Sequence, residues 1–182
     1  NPLSYSITYK NKRLLLKTDK FNGFVIGFNP CRPKSKGSVL LSSNNFNNPP
    51  IIDPNYLDQE EDIYDLKCAF DITKKYLNTK NLNNIIKQPI NIDLLNSRDE
   101  DLINHFKKNA NSVYHPCGTC RMDNDIKLGV VSDKLKVHGI NNLWIVDASI
   151  FPSITSGNIN APVMMVAHRS SQIIINELNE KK

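Results

Sequence analysis

Through the first fifty residues the apolar positions come in short runs or alternate with polar ones, and beyond residue 58 the period changes. SYSITY, RLLLKT and FVIGF are brief apolar or alternating segments, and SVLLSS follows the turn cluster PKSKG. That texture predicts β-strands separated by turns. FVIGFNPCRP is expected to form one strand and its exit, with KGSVLLSS returning antiparallel as a hairpin. From about Asp58 to Leu77 the apolar residues Ile63, Leu66, Phe70 and Leu77 share one helical face, with acids at the start and Lys74 and Lys75 at the end. The helix dipole favours that distribution of charge. A second helix is predicted from Ser97, because Ser97 and Glu100 form an S-x-x-E capping box ahead of Leu102, Ile103 and Phe106. A polar, Asn-rich link and the short strand candidate INIDLL lie between the two helices.

From Tyr114 onward the pattern becomes Gly-containing turns, one continuous apolar run (LWIVDA) and a final helix from about Ala161 to Leu178. A short apolar run bounded by turn residues predicts a buried central strand. Pro162 suits the first turn of the last helix, where its missing N–H costs nothing. The fold class expected is α+β: an antiparallel sheet with flanking helices over residues 1–113, then a C-terminal segment, 114–182, with one strand and a final helix.

Composition narrows the function classes. The chain has 182 residues, 40% hydrophobic and 23% charged, which is long and apolar enough for a real core. No apolar run approaches the roughly 20 residues of a membrane-spanning helix, so no membrane span is expected. The net charge of +5 is scattered and not gathered into a stripe with interleaved aromatics, which argues against a nucleic-acid partner. The opening NPLSYSITYK has neither an initiator Met nor the regions of a signal peptide and reads as an internal start. There is no N-x-S/T acceptor site, and compartment is left open by these residues.

The four cysteines (Cys31, Cys68, Cys117, Cys120) are too few and too unevenly spaced for a disulfide framework. CGTC at 117–120 has the spacing of a thioredoxin-like redox centre, but no βαβ unit precedes it. PCGTC also matches half of a zinc deaminase signature, whose other half, H-x-E, is not present: His105 is followed by Phe106 and Lys107. A structural zinc site would need two more ligands, and beyond His115 only His138 offers itself. Small residues packed in a turn remain the plain reading of the cysteines. His115 by itself reads equally as a surface or core histidine, and Asn158 as an Asn satisfying backbone groups at a helix start.

HPCGTCRM at 115–122, LWIVDAS at 143–149 and GNINAP at 157–162, in that order, resemble the C-terminal part of the glucose-methanol-choline (GMC) family of FAD-dependent oxidoreductases, including its insect glucose dehydrogenase-like members. RPKSKGSVLLSS and PPIIDPNYL extend the resemblance to about residues 30–178. It implies oxidation of a small-molecule alcohol by hydride transfer to FAD, with oxygen or a quinone-like compound as the electron acceptor. It also implies two catalytic residues. His115, in an H-x-x-G-T segment with Gly118 and Thr119, would take the hydroxyl proton, which a near-neutral imidazole suits. Asn158, in the turn before the last helix, would hydrogen-bond the substrate oxygen and orient it. Asp147, Ala148 and Ser149 would lie against the flavin, contacting it largely through backbone groups. Asn158, Ile159 and Pro162 would line it at the start of the last helix, whose positive dipole end favours the charge that develops on reduction. No metal ligand is implied.

Two positions depart from the family pattern: Asp123 replaces the usual Gly after C-R-M, and Ser132 with Asp133 replaces a usual Asp. The seven glycines contain no G-x-G pair, so the dinucleotide anchor of such enzymes is expected outside this chain, and the chain made alone is expected to bind FAD poorly. A competing reading is a non-catalytic remnant that serves as a structural or binding module.

Overall fold

The computed structural model of the chain describes residues 4–10 and 13–180, so the opening NPL lies outside the described residues. β1 (Tyr5–Lys10) and β2 (Arg13–Thr18) pair antiparallel with Tyr5 opposite Thr18 and Lys10 opposite Arg13. A second antiparallel pair joins β3 (Ser38–Leu40) to β4 (Ile51–Asp53), with Val39 opposite Ile52. Helices α1 (Glu60–Leu77), α2 (Lys80–Asn83), α3 (Asp99–Asn109) and α4 (Asn160–Glu180) follow, with one 3₁₀ turn at Ala148–Ile150. The architecture is α+β, as the sequence pattern requires.

The hairpin differs from expectation. FVIGF forms no strand, and SVL returns against IID instead. Phe28 is withdrawn from any ladder because its ring packs between helices: it meets Phe70 edge-on at 5.7 Å and stacks on Phe106 at 5.7 Å. Aromatic pairs in those geometries add to simple burial. INIDLL is likewise a turn and not a strand, because the Asp93 carboxylate accepts from the backbone N–H of Leu95 and Asn96 and from the Asn96 amide. An Asp bonding its own backbone two residues on makes a turn of what its apolar neighbours propose as a strand.

α1 matches its predicted face. Leu66 and Phe70 are buried, and Glu60, Glu61 and Asp62 open the helix that Lys74 and Lys75 close. With Leu102 of α3 they form a core against which Leu57, Ile92, Leu94, Ile103 and Phe106 pack. Each such fully buried side chain contributes about 1.5–3 kcal/mol. α3 begins at Asp99 and not at Ser97: Arg98 is the N-cap, no side chain caps it, and the Ser97–Glu100 box does not form. Ser97 instead donates its backbone N–H to Asp93 O.

A second core gathers Val131, Leu135, Ile150 and Phe151. LWIVDA forms no strand: among the described residues Trp144 makes one isolated bridge, to Lys136. Trp144, Ile145 and Val146 are half-buried against this core while Leu143 is exposed, so the predicted buried central strand is replaced by an irregular segment that packs without a ladder.

α4 lies on this core through Val163 and Val166. Its other face is open: Met164, Met165 and Ile175 are exposed, as are Val39, Leu40, Ile51 and Ile52 in the β3–β4 pair. The accessible surface is 14246 Å², whereas a folded monomer of this mass exposes about 8,900 Å². None of the described helices is long and apolar enough to cross a membrane.

Candidate active site

Two backbone runs set the site. The segment after His115 lies beside the 3₁₀ turn: Gly118 N–H donates to Ala148 O at 3.4 Å, Cys120 N–H to Ser149 O at 2.9 Å and Met122 N–H to Ile150 O at 2.8 Å. Gly118 has φ +91°, and a Cβ there would stand 3.4 Å from Phe151 O. The position therefore calls for glycine on conformational grounds. The G-T of H-x-x-G-T thus closes against D-A-S.

His115 itself stands between Tyr114, at φ +61°, and Pro116. A left-handed residue before it and a proline after it fix the backbone on both sides and bias His115 toward extended geometry. Its side chain is half-buried and makes no hydrogen bond to any described residue. Asn158 is exposed, and its amide too has no hydrogen-bond partner among the described residues. The segments that carry the two residues meet on one core, where Cys117, two residues after His115, and Ile159, next to Asn158, both pack against the Val131–Phe151 cluster.

The remaining expected residues fall around this seam. Asp147 is the N-cap of the 3₁₀ turn, its Oδ1 accepting from Ser149 N–H at 2.7 Å. Ala148 follows it in the turn. Ile159 is half-buried beneath Asn158, and Pro162 sits in the first turn of α4. The helix takes up its bonding with Val163 N–H to Ile159 O at 2.9 Å, which leaves the amides of Asn160 and Ala161 without acceptors among the described residues, as a helix start does. The Oγ of Ser149, the last residue of the D-A-S segment, is buried with no partner among the described residues.

The two departures are accommodated locally. Asp123 accepts from Arg121 at 3.0 Å and from Asp125 N–H, and Ser132 Oγ accepts from Lys134 N–H. His138 Nε2 lies 2.8 Å from Asp123 O, so it is occupied in holding this loop. The cysteines are free thiols, and burial pushes the Cys117 thiol above its ordinary value. A raised value suppresses the thiolate that redox chemistry needs. No group of three or more metal-ligating side chains occurs among the described residues.

Residues 33–167 match a family model described as GMC oxidoreductase. The chain is 34% identical over 157 residues to an alcohol dehydrogenase [acceptor] of Pseudomonas putida, and 35% identical over 155 residues to an oxygen-dependent choline dehydrogenase of Brucella anthropi. These alignments cover 86% and 85% of this chain but 28% of either relative. A formate oxidase from Aspergillus oryzae, in a structure that addresses modification of its FAD, superposes with a TM-score of 0.74 at 28% identity, over 82% of this chain and 26% of that one. The chain belongs to the GMC oxidoreductase family and carries that family's C-terminal domain.

Proposed function

We propose that this chain is the substrate-facing and C-terminal part of an FAD-dependent oxidoreductase acting on the CH–OH group of a small alcohol. The observation that carries the reading is that His115 and Asn158, two polar side chains without partners among the described residues, issue from segments packed on one core. The residues present fit FAD. The orphaned Ser149 hydroxyl, the open amides at the start of α4 and the backbone of Asp147 and Ala148 offer donors to a polar ring edge, and the helix N-terminus favours negative charge there.

FAD, when bound, supplies the hydride acceptor. His115 takes the substrate hydroxyl proton, because hydride leaves an alkoxide-like carbon more readily than an alcohol. Asn158 cannot act as a base, and its amide donates to the same oxygen and fixes the direction of the C–H bond. The electron acceptor proposed for the bound FAD is oxygen or a quinone-like compound.

Residues 1–113 are assigned to the substrate-binding domain and 114–182 to a segment returning to the FAD-binding domain. The chain exposes about 60% more surface than a monomer of its mass should, and Leu40, Leu41, Phe46, Ile52, Met164 and Met165 are among its exposed large apolar residues. We assign that surface to contact with the rest of the flavoprotein. Alone, residues 1–182 bind FAD poorly and turn over no alcohol.

The test is His115→Ala in the intact flavoprotein, followed by anaerobic stopped-flow bleaching of the flavin by alcohol. A loss of roughly 10²-fold or more in the reduction rate is expected for removing a general base. Unchanged kinetics remove His115 from the mechanism.

A further inference from the structure

The loop RPKSKG, far from the two catalytic candidates in sequence, is tied to the turn that carries one of them. Arg32 Nε donates to Ser156 Oγ at 3.1 Å, across 124 residues of sequence. Ser156 is two residues before Asn158, in a turn whose other side-chain bond is Thr155 Oγ1 to Gly157 O at 3.0 Å. We propose that Arg32 is a positioning residue for Asn158, acting through Ser156, so that the RPKSKG loop sets the alignment of the substrate alcohol. This inference rests on the alcohol-oxidation reading of the site.

The loop is fit for that role because its other end is anchored. Asp62 of α1 is 2% exposed. Its carboxylate accepts from Lys34 N–H at 2.7 Å, from Ser35 N–H at 2.8 Å and from the Ser35 hydroxyl. Ser35 Oγ in turn accepts from Asp58 N–H at 2.9 Å and Gln59 N–H at 3.0 Å, and Asn55 Nδ2 donates to Lys36 O. A Cβ at Gly37 would come within 2.1 Å of Asp53 O, so the loop is closed against the end of β4 as well. Arg32 therefore extends from a fixed base, and its planar guanidinium delivers a directed N–H where a lysine would offer only a flexible point charge. Among the described residues, the side-chain hydrogen bonds of the turn at 155–158 are that from Arg32 and the local one within Thr155–Gly157. Placement errors of about 1 Å are enough to cost large factors in rate.

The experiment uses the intact flavoprotein with the variants Arg32→Ala, Arg32→Lys, Ser156→Ala and the double Arg32→Ala/Ser156→Ala, with His115→Ala as a control. Choline, 1-butanol and benzyl alcohol serve as probes of flavin reduction. Hydrogen–deuterium exchange over residues 153–160 is followed without any alcohol. Arg32→Ala and Ser156→Ala are each expected to lower kcat by about tenfold, the scale of one lost hydrogen bond, with flavin content and thermal midpoint unchanged. The double variant loses no more than either single one, Arg32→Lys recovers part of the rate, and exchange over 153–160 rises severalfold in both single variants. Unchanged exchange over 153–160, or additive losses in the double variant, overturns the inference. If reduction is insensitive to His115→Ala as well, the reading of the site falls and this inference with it. A loss confined to His115→Ala overturns the role of Arg32 alone. If Arg32→Ala fails to fold, Ser156→Ala carries the same expectations.

Discussion

A single oxygen of Asp62, Oδ2, accepts both the backbone N–H and the hydroxyl of Ser35, joining the loop before β3 to the first turn of α1. Burial of this carboxylate acts to raise its pKa, but the hydrogen bonds from Lys34 and Ser35 outweigh it and hold the group below its ordinary value of 3.8.

Asp62→Ala should therefore destabilise the protein by about 1–3 kcal/mol, since it removes the acceptor of the Lys34 and Ser35 N–H groups and of the Ser35 hydroxyl. The sign with pH follows from the depressed folded-state value. The carboxylate's contribution is present in full above about pH 4, the unfolded range, and is lost as pH falls through the lower folded value. Chemical denaturation of the wild type and Asp62→Asn between pH 3 and 7 checks this: the stability difference should shrink only at the acid end.

Asn158→Ala should raise KM and lower kcat together, because an orienting amide acts on both the bound alcohol and its approach to the transition state. Asn158→His, which restores a donor at the same position, should recover part of kcat. Steady-state kinetics of the intact flavoprotein over a range of alcohol concentrations measures both.

Gly118→Ala should cost about 1–2 kcal/mol, the penalty of a side chain at φ +91°, and the strain should fall on the segment that carries His115. Thermal unfolding gives the cost. A slowed flavin reduction at full flavin content would show that the strain reaches His115.

Cys117 should alkylate more slowly than the exposed Cys31 at pH 8, since burial raises the Cys117 thiol and the thiolate is the reactive form. Mass spectrometry of the chain after timed iodoacetamide treatment resolves the two. Faster labelling of Cys117 would reopen the thiol-redox reading of CGTC.

What the sequence made legible was whatever local chemistry decides. α1 was readable because Leu66 and Phe70 fall on one face with acids before and lysines after, and Pro162 marked the start of α4. FVIGF and LWIVDA were misleading for a common reason. A strand is defined by its partners, and apolar content alone does not tell a ladder residue from Phe28, which stacks between helices, or from Trp144, which makes one bridge. The Ser97–Glu100 box failed because Asp93 captures the Ser97 N–H first. At the site, motif order proposed His115 and Asn158 as candidates, whereas the bond from Arg32 to Ser156 has no local signal and became visible only in three dimensions.

Trp144 is the chain's one tryptophan, and Lys136 Nζ lies 5.9 Å from its ring centroid while pairing with Glu177 of α4 at 2.7 Å. The charge over the indole is thus held by the same helix whose first turn follows Asn158. Removing α4 would free that cation and change the field on the ring, so indole emission becomes an intrinsic optical gauge of whether the last helix is seated. It would report assembly of the turn that carries Asn158 during refolding with no label and no substrate.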